Sequence, residues 1–315
     1  VITVSNDFWD GRTISCMAVQ EAAGAHDKNV STVEGDGTLG ALYGLMRVLG
    51  GSGTTLIVAH SKGSEGDPRV ITNAMFDPVY HRSLGLDAVS SSALQASAYM
   101  SRYGVTEEQC ALVSVKNHGN AKNNPFAQLP MDITVADVMK SRKIADPLKR
   151  LDCSPVSDGA AAIIIADEKH ARKARKKPVW IKGAAHCADA YFLGDRNLAE
   201  AASLREAAKK AYAMAGIGNP AKEIDVAELY DAFGFMELMW LEGLGFCDPG
   251  GGAGMTESGK TAMGGPIPVN PSGGVLSAHA VLAAGLARIA EAVLQVRGEA
   301  GPRQVDGART SLAHG

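Results

Sequence analysis

The chain has 315 residues, of which 46% are hydrophobic, and a formal net charge of −3. This length supports one large domain or two packed halves with a full core, so folding should need neither a disulfide nor a metal. Basic residues are scattered rather than arranged in a stripe, which argues against nucleic acid as a partner.

Cysteine usage and hydropathy indicate the compartment. The five cysteines are odd in number and far apart, and the sequence contains no CxxC pair, which argues against a disulfide framework and against a zinc ribbon. The apolar runs are too short to span a bilayer, and no secretory signal pattern opens the sequence. We therefore predict a cytoplasmic protein with no metal and no membrane partner.

Helix and strand patterns alternate over the whole length, which predicts parallel strands joined by crossover helices. Residues 1–5 have the pattern of a buried strand. The segments "TLIVAH" and "AAIIIA" are apolar without a period of two, so we expect helices on both faces of this sheet. The polar, proline-punctuated segment 133–158 interrupts the pattern and is interpreted as part of a cap loop over about residues 117–158.

A second series of elements follows the basic turn 172–178. We predict a strand in "VWIKGAAH", a helix over 199–215, a strand in "DVAELY" and a final amphipathic helix over 281–297. The two halves are accordingly taken as residues 1–175 and 176–315. A glycine-rich turn, "NPSGG", leads toward the final helix, where backbone amides and the helix dipole could hold an anion or oxyanion.

Four long segments resemble thiolases of the sterol-carrier-protein and archaeal type, in the same order and across most of the chain. They are "SVKNHGNAKNNPFAQ", "ADPLKRLDCSPVSDGAAAIIIAD", "ELYDAFGFMELMWLEGLGFC" and "GGPIPVNPSGG". The resemblance implies an α/β protein with a five-layered αβαβα fold of two similar halves. It also implies a dimer and a tunnel for the pantetheine arm of coenzyme A, which belongs to the substrate, with no separate cofactor.

The nucleophilic cysteine of the family is missing from this sequence. In similar thiolases it stands in a segment that reads roughly V-E-x-x-C-A-S-G, at the N-terminus of a buried helix where the dipole favours the thiolate. Here the segment is "VEGDGTLG", and Gly37 stands at that position. The neighbouring Asp36 is either a catalytic base or an ordinary N-terminal helix cap.

Two further catalytic positions of the family are altered. Tyr230 in "LYDAF" replaces the Asn or His of the family loop, as in thiolase-like steroid side-chain aldolases, and its hydroxyl could donate to an oxyanion or act as a general acid. The alternative is a tyrosine that only packs against the pocket. His279 in "SAHA" replaces the family's G-H-P histidine and is either a proton carrier or a structural residue.

The resemblance also assigns residues to binding of the acyl-CoA substrate. Asn117 and His118 are expected to lie on a loop that lines the acyl pocket. The other expected binding residues lie in the "NPSGG" turn and are Asn270, Ser272, Gly273 and Gly274. The two glycines are expected near the oxyanion hole.

Three functions remain open at this point. The first is a thiolase-like enzyme that makes or breaks a carbon–carbon bond beside an acyl-CoA carbonyl, by an aldol or retro-aldol step that needs no cysteine. The second is an acyltransferase whose nucleophile is supplied from elsewhere, since similar thiolases pair with a small zinc-ribbon and OB-fold protein. The third is a catalytically inactive subunit that only binds.

Overall fold

The computed structural model describes residues 1–11 and 14–315. Its first half contains six strands and eight α-helices within those residues: β1 Ile2–Val4, α1 Asp7–Asp10, α2 Met17–Ala22, β2 Ser31–Val33, α3 Gly37–Leu49, β3 Thr54–Lys62, α4 Pro68–Ala74, α5 Ala88–Tyr103, α6 Glu107–Ala121, α7 Val135–Lys140, β4 Lys143–Ala145, β5 Leu148–Lys149, β6 Asp158–Ala166 and α8 Glu168–Ala171.

The second half is mainly helical. Its elements are α9 Ala202–Ala215, α10 Pro220–Glu223, β7 Val226–Glu228, α11 Gly234–Gly243, α12 Gly252–Glu257, α13 Gly274–Ser277, α14 Val281–Arg297 and β8 Ser311–Ala313. The predicted final helix is confirmed with the same ends, because its apolar stripe and the C-terminal Gly298 in left-handed conformation mark both limits.

A four-stranded sheet in the order β2-β1-β3-β6 forms the centre of the first half. β1 is parallel to β2 and to β3, whereas β6 runs antiparallel to β3 with Thr54 opposite Ala166 and Lys62 opposite Asp158. The predicted strands at residues 1–5, "TLIVAH" and "AAIIIA" are therefore confirmed, and the prediction of purely parallel strands is wrong for β6. The mixed α/β class is confirmed.

Only one face of this sheet is closed by the central helices. α3 and α14 pack against the face that carries Ile57, and Leu282 and Leu286 of α14 join that core. The opposite face leaves the Ile164 side chain 69% exposed. The expectation that helices cover both faces is thus wrong for the part of the chain that the structure describes, because an apolar run does not reveal which of its faces meets solvent.

The second half differs from the predicted pattern at its start. Residues 179–186, "VWIKGAAH", lie outside any strand or helix, with Trp180 and Ile181 each 50% exposed. The predicted helix begins at Ala202 rather than at residue 199. The strand in "DVAELY" is confirmed as β7, which pairs in parallel with β8. The boundary near residue 175 stays a prediction.

The predicted cap loop is more regular than expected. Its range begins inside α6 and contains α7 and the short β4–β5 hairpin. A reciprocal pair of hydrogen bonds between Thr106 and Gln109 starts α6. This helix carries Asn117 and His118 on its buried face, so both residues lie on a helix and not on a loop.

Within the residues described, no helix is both long and apolar enough to cross a membrane.

Candidate active site

Tyr230 and His279 form the centre of the site. Tyr230 follows β7 directly, and His279 lies in the short connection between α13 and α14. The Tyr230 Oη and His279 Nε2 atoms are 2.5 Å apart, and the two rings meet edge to face with centroids 5.4 Å apart. Both residues are partly buried.

Two serines that the sequence analysis did not select hold His279. The Ser154 Oγ atom lies 2.9 Å from His279 Nδ1. Ser157 fixes the backbone on both sides, because its Oγ accepts from the His279 amide at 2.9 Å and its amide donates to the His279 carbonyl at 3.1 Å. Both serines lie in the quoted segment "DCSPVSDG", but that segment gave no sign that they face a histidine 122 or more residues away.

Burial favours the neutral form of both catalytic candidates. It lowers the pKa of His279 to about 4, with a smaller contribution from the positive charge of Arg288. Burial also raises the pKa of the Tyr230 phenol well above its usual range, and the nearby Asp36 and Asp231 carboxyls add to this shift. At neutral pH the pair is therefore a neutral phenol hydrogen-bonded to a neutral imidazole.

The backbone of Tyr230 is held separately from its side chain. The Trp240 indole donates to the Tyr230 carbonyl at 2.7 Å. The Tyr230 amide points to His314 Nδ1 at a long 3.4 Å, and the His314 ring packs on Trp240 with centroids 5.4 Å apart. Burial lowers the pKa of His314 to about 4, so this ring is also neutral.

Asp36 acts as a cap in this structure. Its carboxylate accepts from the Thr38 amide at 2.8 Å at the start of α3, and from the Gly285 amide at 3.0 Å in α14. Burial raises the pKa of Asp36 despite these hydrogen bonds. The geometry supports the capping interpretation, and a catalytic role for Asp36 stays a prediction.

The position expected for the nucleophile has no room for a side chain. Gly37 is the buried first residue of α3, and a Cβ atom built on it would lie 2.5 Å from Leu286 Cβ and 2.8 Å from the Leu286 amide nitrogen. Cys153 is adjacent to Ser154, but burial raises the pKa of its thiol to about 12. That thiol donates to the Lys149 carbonyl at 3.1 Å, so it is a poor candidate for a thiolate nucleophile.

The remaining predicted residues lie in a buried polar network beside the pair. The Asn117 amide donates to Asp231 Oδ2 at 2.6 Å and to Glu237 Oε2 at 2.8 Å. Asn270 donates to the same Glu237 oxygen at 2.9 Å and accepts from the Leu229 amide at 2.7 Å. The asparagines thus bind protein groups, and their contact with CoA stays a prediction.

His118 and Ser272 also point inward. His118 is 1% exposed and its Nδ1 lies 2.9 Å from the Leu129 carbonyl oxygen. Ser272 Oγ donates to Glu228 at 2.6 Å and accepts from Arg288 at 2.6 Å. In these contacts both side chains bind protein groups.

The predicted oxyanion hole at the glycine turn is not available in this conformation. The Gly273 amide donates to the Asn270 carbonyl at 2.9 Å, and the Gly274 amide donates to Ser272 Oγ at 3.3 Å. The next amide, that of Val275, donates to Asp231 Oδ1 at 2.5 Å. The turn is buried and these amides already have protein acceptors. A role of Gly273 and Gly274 in holding an enolate oxygen stays a prediction.

Comparison with known proteins identifies the family. Residues 184–315 match the family described as thiolase C-terminal domain-like. The acetyl-CoA acetyltransferase of Methanothermobacter thermautotrophicus is 40% identical over 282 residues, which cover 88% of this chain and 73% of the relative. Sterol carrier protein 2 of Bos taurus is 39% identical over 226 residues, which cover 69% of this chain but only 41% of that longer protein.

A solved structure described as "Ltp2-ChsH2(DUF35) aldolase" is similar over nearly the whole chain. It superposes with a TM-score of 0.85 and 26% sequence identity, and the match covers 99% of this chain and 83% of that one. Together with the archaeal relative, these similarities confirm the resemblance that the sequence motifs indicated. The chain therefore belongs to the thiolase family.

Proposed function

We propose that this protein acts on acyl-CoA thioesters and makes or breaks the carbon–carbon bond beside the thioester carbonyl by an aldol or retro-aldol step. The observation that carries this proposal is the 2.5 Å contact between Tyr230 Oη and His279 Nε2. Such a pair can take a proton from a substrate hydroxyl and return one, without forming a covalent intermediate.

In the cleavage direction the substrate is a β-hydroxyacyl-CoA. The Tyr230–His279 pair accepts the proton of the β-hydroxyl group as that oxygen forms a carbonyl. The bond between Cα and Cβ breaks, and its electron pair passes to the thioester as an enolate. Protonation of the enolate at Cα then gives a shorter acyl-CoA and a free aldehyde or ketone, so that all atoms of the substrate are accounted for.

Two features favour this chemistry over acyl transfer. An acyl-enzyme mechanism needs a nucleophile at the start of α3, where Leu286 fills the space beside Gly37. The aldolase named in the structural comparison is similar over 99% of this chain. The protein should therefore process its thioester without a thiol acceptor.

The partners follow from the same proposal. The small-molecule ligand is an acyl-CoA, and the protein works as a homodimer. The structural relative is described as "Ltp2-ChsH2(DUF35) aldolase". This description supports a partner subunit, which we propose to be a small protein with a zinc ribbon and an OB fold that assists CoA binding.

The test is a panel of short and branched β-hydroxyacyl-CoA and acyl-CoA compounds, analysed by mass spectrometry for release of an aldehyde or ketone. Tyr230→Phe should abolish the release. Tyr212→Phe is the matched control, because Tyr212 also donates a hydrogen bond, at 2.9 Å to the Leu244 carbonyl, on a helix outside the site. This control should retain activity.

Other outcomes have defined meanings. Release of acetyl-CoA that depends on an added thiol would show an acyltransferase. CoA binding without turnover, both alone and with a zinc-ribbon/OB-fold partner, would show an inactive binding subunit. Either result would overturn the proposed function.

A further inference from the structure

Ser154 extends the catalytic pair to a line of three side chains. Its Oγ atom lies 2.9 Å from His279 Nδ1, while Tyr230 Oη lies 2.5 Å from Nε2 on the other side of the ring. Ser154 and Tyr230 are both partly buried. We call these three residues the relay.

We propose that Ser154 acts through His279 as the proton acceptor at Nδ1, so that the relay moves a proton from Tyr230 through His279 without the imidazole ring becoming charged. The inference rests on the proposed function, because it concerns the path of the same proton. It adds a residue and a direction of transfer that the catalytic pair alone does not have.

The relay can satisfy its internal hydrogen bonds in two ways. In the first arrangement the Tyr230 hydroxyl donates to Nε2, and Nδ1–H donates to Ser154 Oγ. In the second arrangement the Ser154 hydroxyl donates to Nδ1, and Nε2–H donates to Tyr230 Oη. A neutral imidazole carries one N–H and one acceptor nitrogen, so both arrangements are complete and differ only in direction.

Cleavage converts the first arrangement into the second. Tyr230 Oη receives the proton of the substrate hydroxyl and passes its own proton to Nε2. Nδ1 passes its proton to Ser154 Oγ, and Ser154 releases its own hydroxyl proton, while the enolate carbon takes up one proton. One O–H bond of the substrate is broken and one C–H bond is formed, and the relay holds three protons before and after.

The neutrality of the ring is what makes Ser154 necessary. Burial lowers the pKa of His279 to about 4, so an imidazolium at this site is strongly disfavoured at neutral pH. Without an acceptor at Nδ1, a proton received at Nε2 would have to remain on the ring. The serine hydroxyl removes that cost because it takes the second proton as the first arrives.

The position of Ser154 is fixed independently of the ring. Its amide donates to the Ala232 carbonyl at 2.9 Å, which ties it to the segment that follows Tyr230. Ser157 holds the His279 backbone, at 2.9 Å from its amide, but makes no hydrogen bond to the ring. Ser154 therefore contacts the ring that transfers the proton, whereas Ser157 positions the backbone of His279. Each serine can be substituted without removing the other contact.

The kinetic test compares three variants in mixtures of H2O and D2O, with the substrate that the panel identifies. Ser154→Ala should lower kcat by about 100-fold with little change in KM, and the curved dependence of rate on deuterium content should become linear, as for a single transferred proton. Ser154→Thr keeps a hydroxyl and should restore the curve. Ser157→Ala should lower the rate but keep the curve, because the relay stays whole. An unchanged curve in Ser154→Ala would overturn the proposal.

A second measurement is independent of activity. In the resting protein labelled with 15N-histidine, the His279 nitrogens should show shifts between those of the two neutral tautomers, because both arrangements exchange. Ser154→Ala should give the shifts of a single tautomer. A single fixed tautomer in the unmodified protein would overturn the relay even if aldol cleavage is found, and exchange between tautomers without any cleavage would support the relay while the proposed function fails.

Discussion

Leu286 occupies the space that a side chain at Gly37 would need. A Cβ atom at Gly37 would lie 2.5 Å from Leu286 Cβ, a distance at which α3 or α14 must shift. The Gly285 amide donates to Asp36 at 3.0 Å and holds the two helices at this spacing. At this position α14 therefore approaches α3 as closely as a glycine permits.

Introducing a cysteine at position 37 should not produce thiolase chemistry. We expect Gly37→Cys to destabilise the protein by about 1–3 kcal/mol, as overpacked core substitutions do, with no thiol-dependent release of acetyl-CoA. Gly37→Ala is the control and should be destabilised as well, because the clash begins at Cβ. Urea unfolding and a thiolysis assay measure both effects.

A double variant tests the cause of this destabilisation. Leu286→Ala alone should cost about 2–5 kcal/mol through the cavity that it leaves. Combined with Gly37→Cys, the loss should be smaller than the sum of the two single losses by about 1 kcal/mol or more, since the sulfur can use the vacated space. Additive losses would show that Leu286 is not what excludes the side chain.

The buried ion pair beneath the glycine turn should be essential for stability. The Arg288 and Glu228 side chains are 7% and 0% exposed, with Nη1 and Oε2 2.6 Å apart. We expect Arg288→Met to lower the free energy of unfolding by about 3–5 kcal/mol, because Glu228 is left as an unpaired buried charge. Arg205→Met, which removes an ion pair with Glu200 near the surface, should cost about 1 kcal/mol or less. Equal losses in urea unfolding would contradict this.

The sequence predicted the elements whose pattern depends only on local residues. The apolar stripe of α14 and the apolar runs of β3 and β6 are examples, because these patterns can be seen in the local sequence alone. The strand predicted in "VWIKGAAH" is absent from the structure. Its strand-forming residues Trp180 and Ile181 lie outside any strand and are half exposed. A strand needs a neighbour, and the local sequence does not specify one.

Only part of the site was predicted, because the local sequence does not show which distant side chains come into contact. Tyr230 and His279 were selected one by one, and their contact across 49 residues follows only from the fold. Ser154 was overlooked, since a serine beside a proline gives no chemical signal by itself. For Gly273 and Gly274 the composition indicated free amides, but nearby carbonyl, hydroxyl and carboxyl groups in the fold accept from this turn.

His314 should make stability depend on pH in a definite direction. Burial lowers its pKa from 6.5 to about 4, so between these values the unfolded chain binds a proton that the folded protein does not. The stability that comes from neutral His314 is thus fully present above about pH 6.5 and is lost as pH falls toward 4. Urea unfolding over this range should show a smaller loss for His314→Gln than for the unmodified protein. Parallel curves would exclude the effect, whatever the buried carboxyl groups contribute to both proteins.

The hydrogen bond from Trp240 to the backbone of Tyr230 should affect the rate of aldol cleavage. Its indole N–H donates to the Tyr230 carbonyl at 2.7 Å, and its ring also supports His314. Trp240→Phe keeps most of the apolar contact and removes the donor, so we expect a stability loss of about 1 kcal/mol. Because the phenol must stay aligned with His279 Nε2 during proton transfer, kcat should fall by about tenfold while KM changes little.

Trp180→Phe is the matched control, since Trp180 is half exposed and stacks under Arg172 at the surface, with the guanidinium carbon 5.7 Å from the ring centroid. Aldol-cleavage kinetics of both variants decide the matter: if Trp240→Phe and Trp180→Phe have the same kcat, the indole hydrogen bond does not position Tyr230.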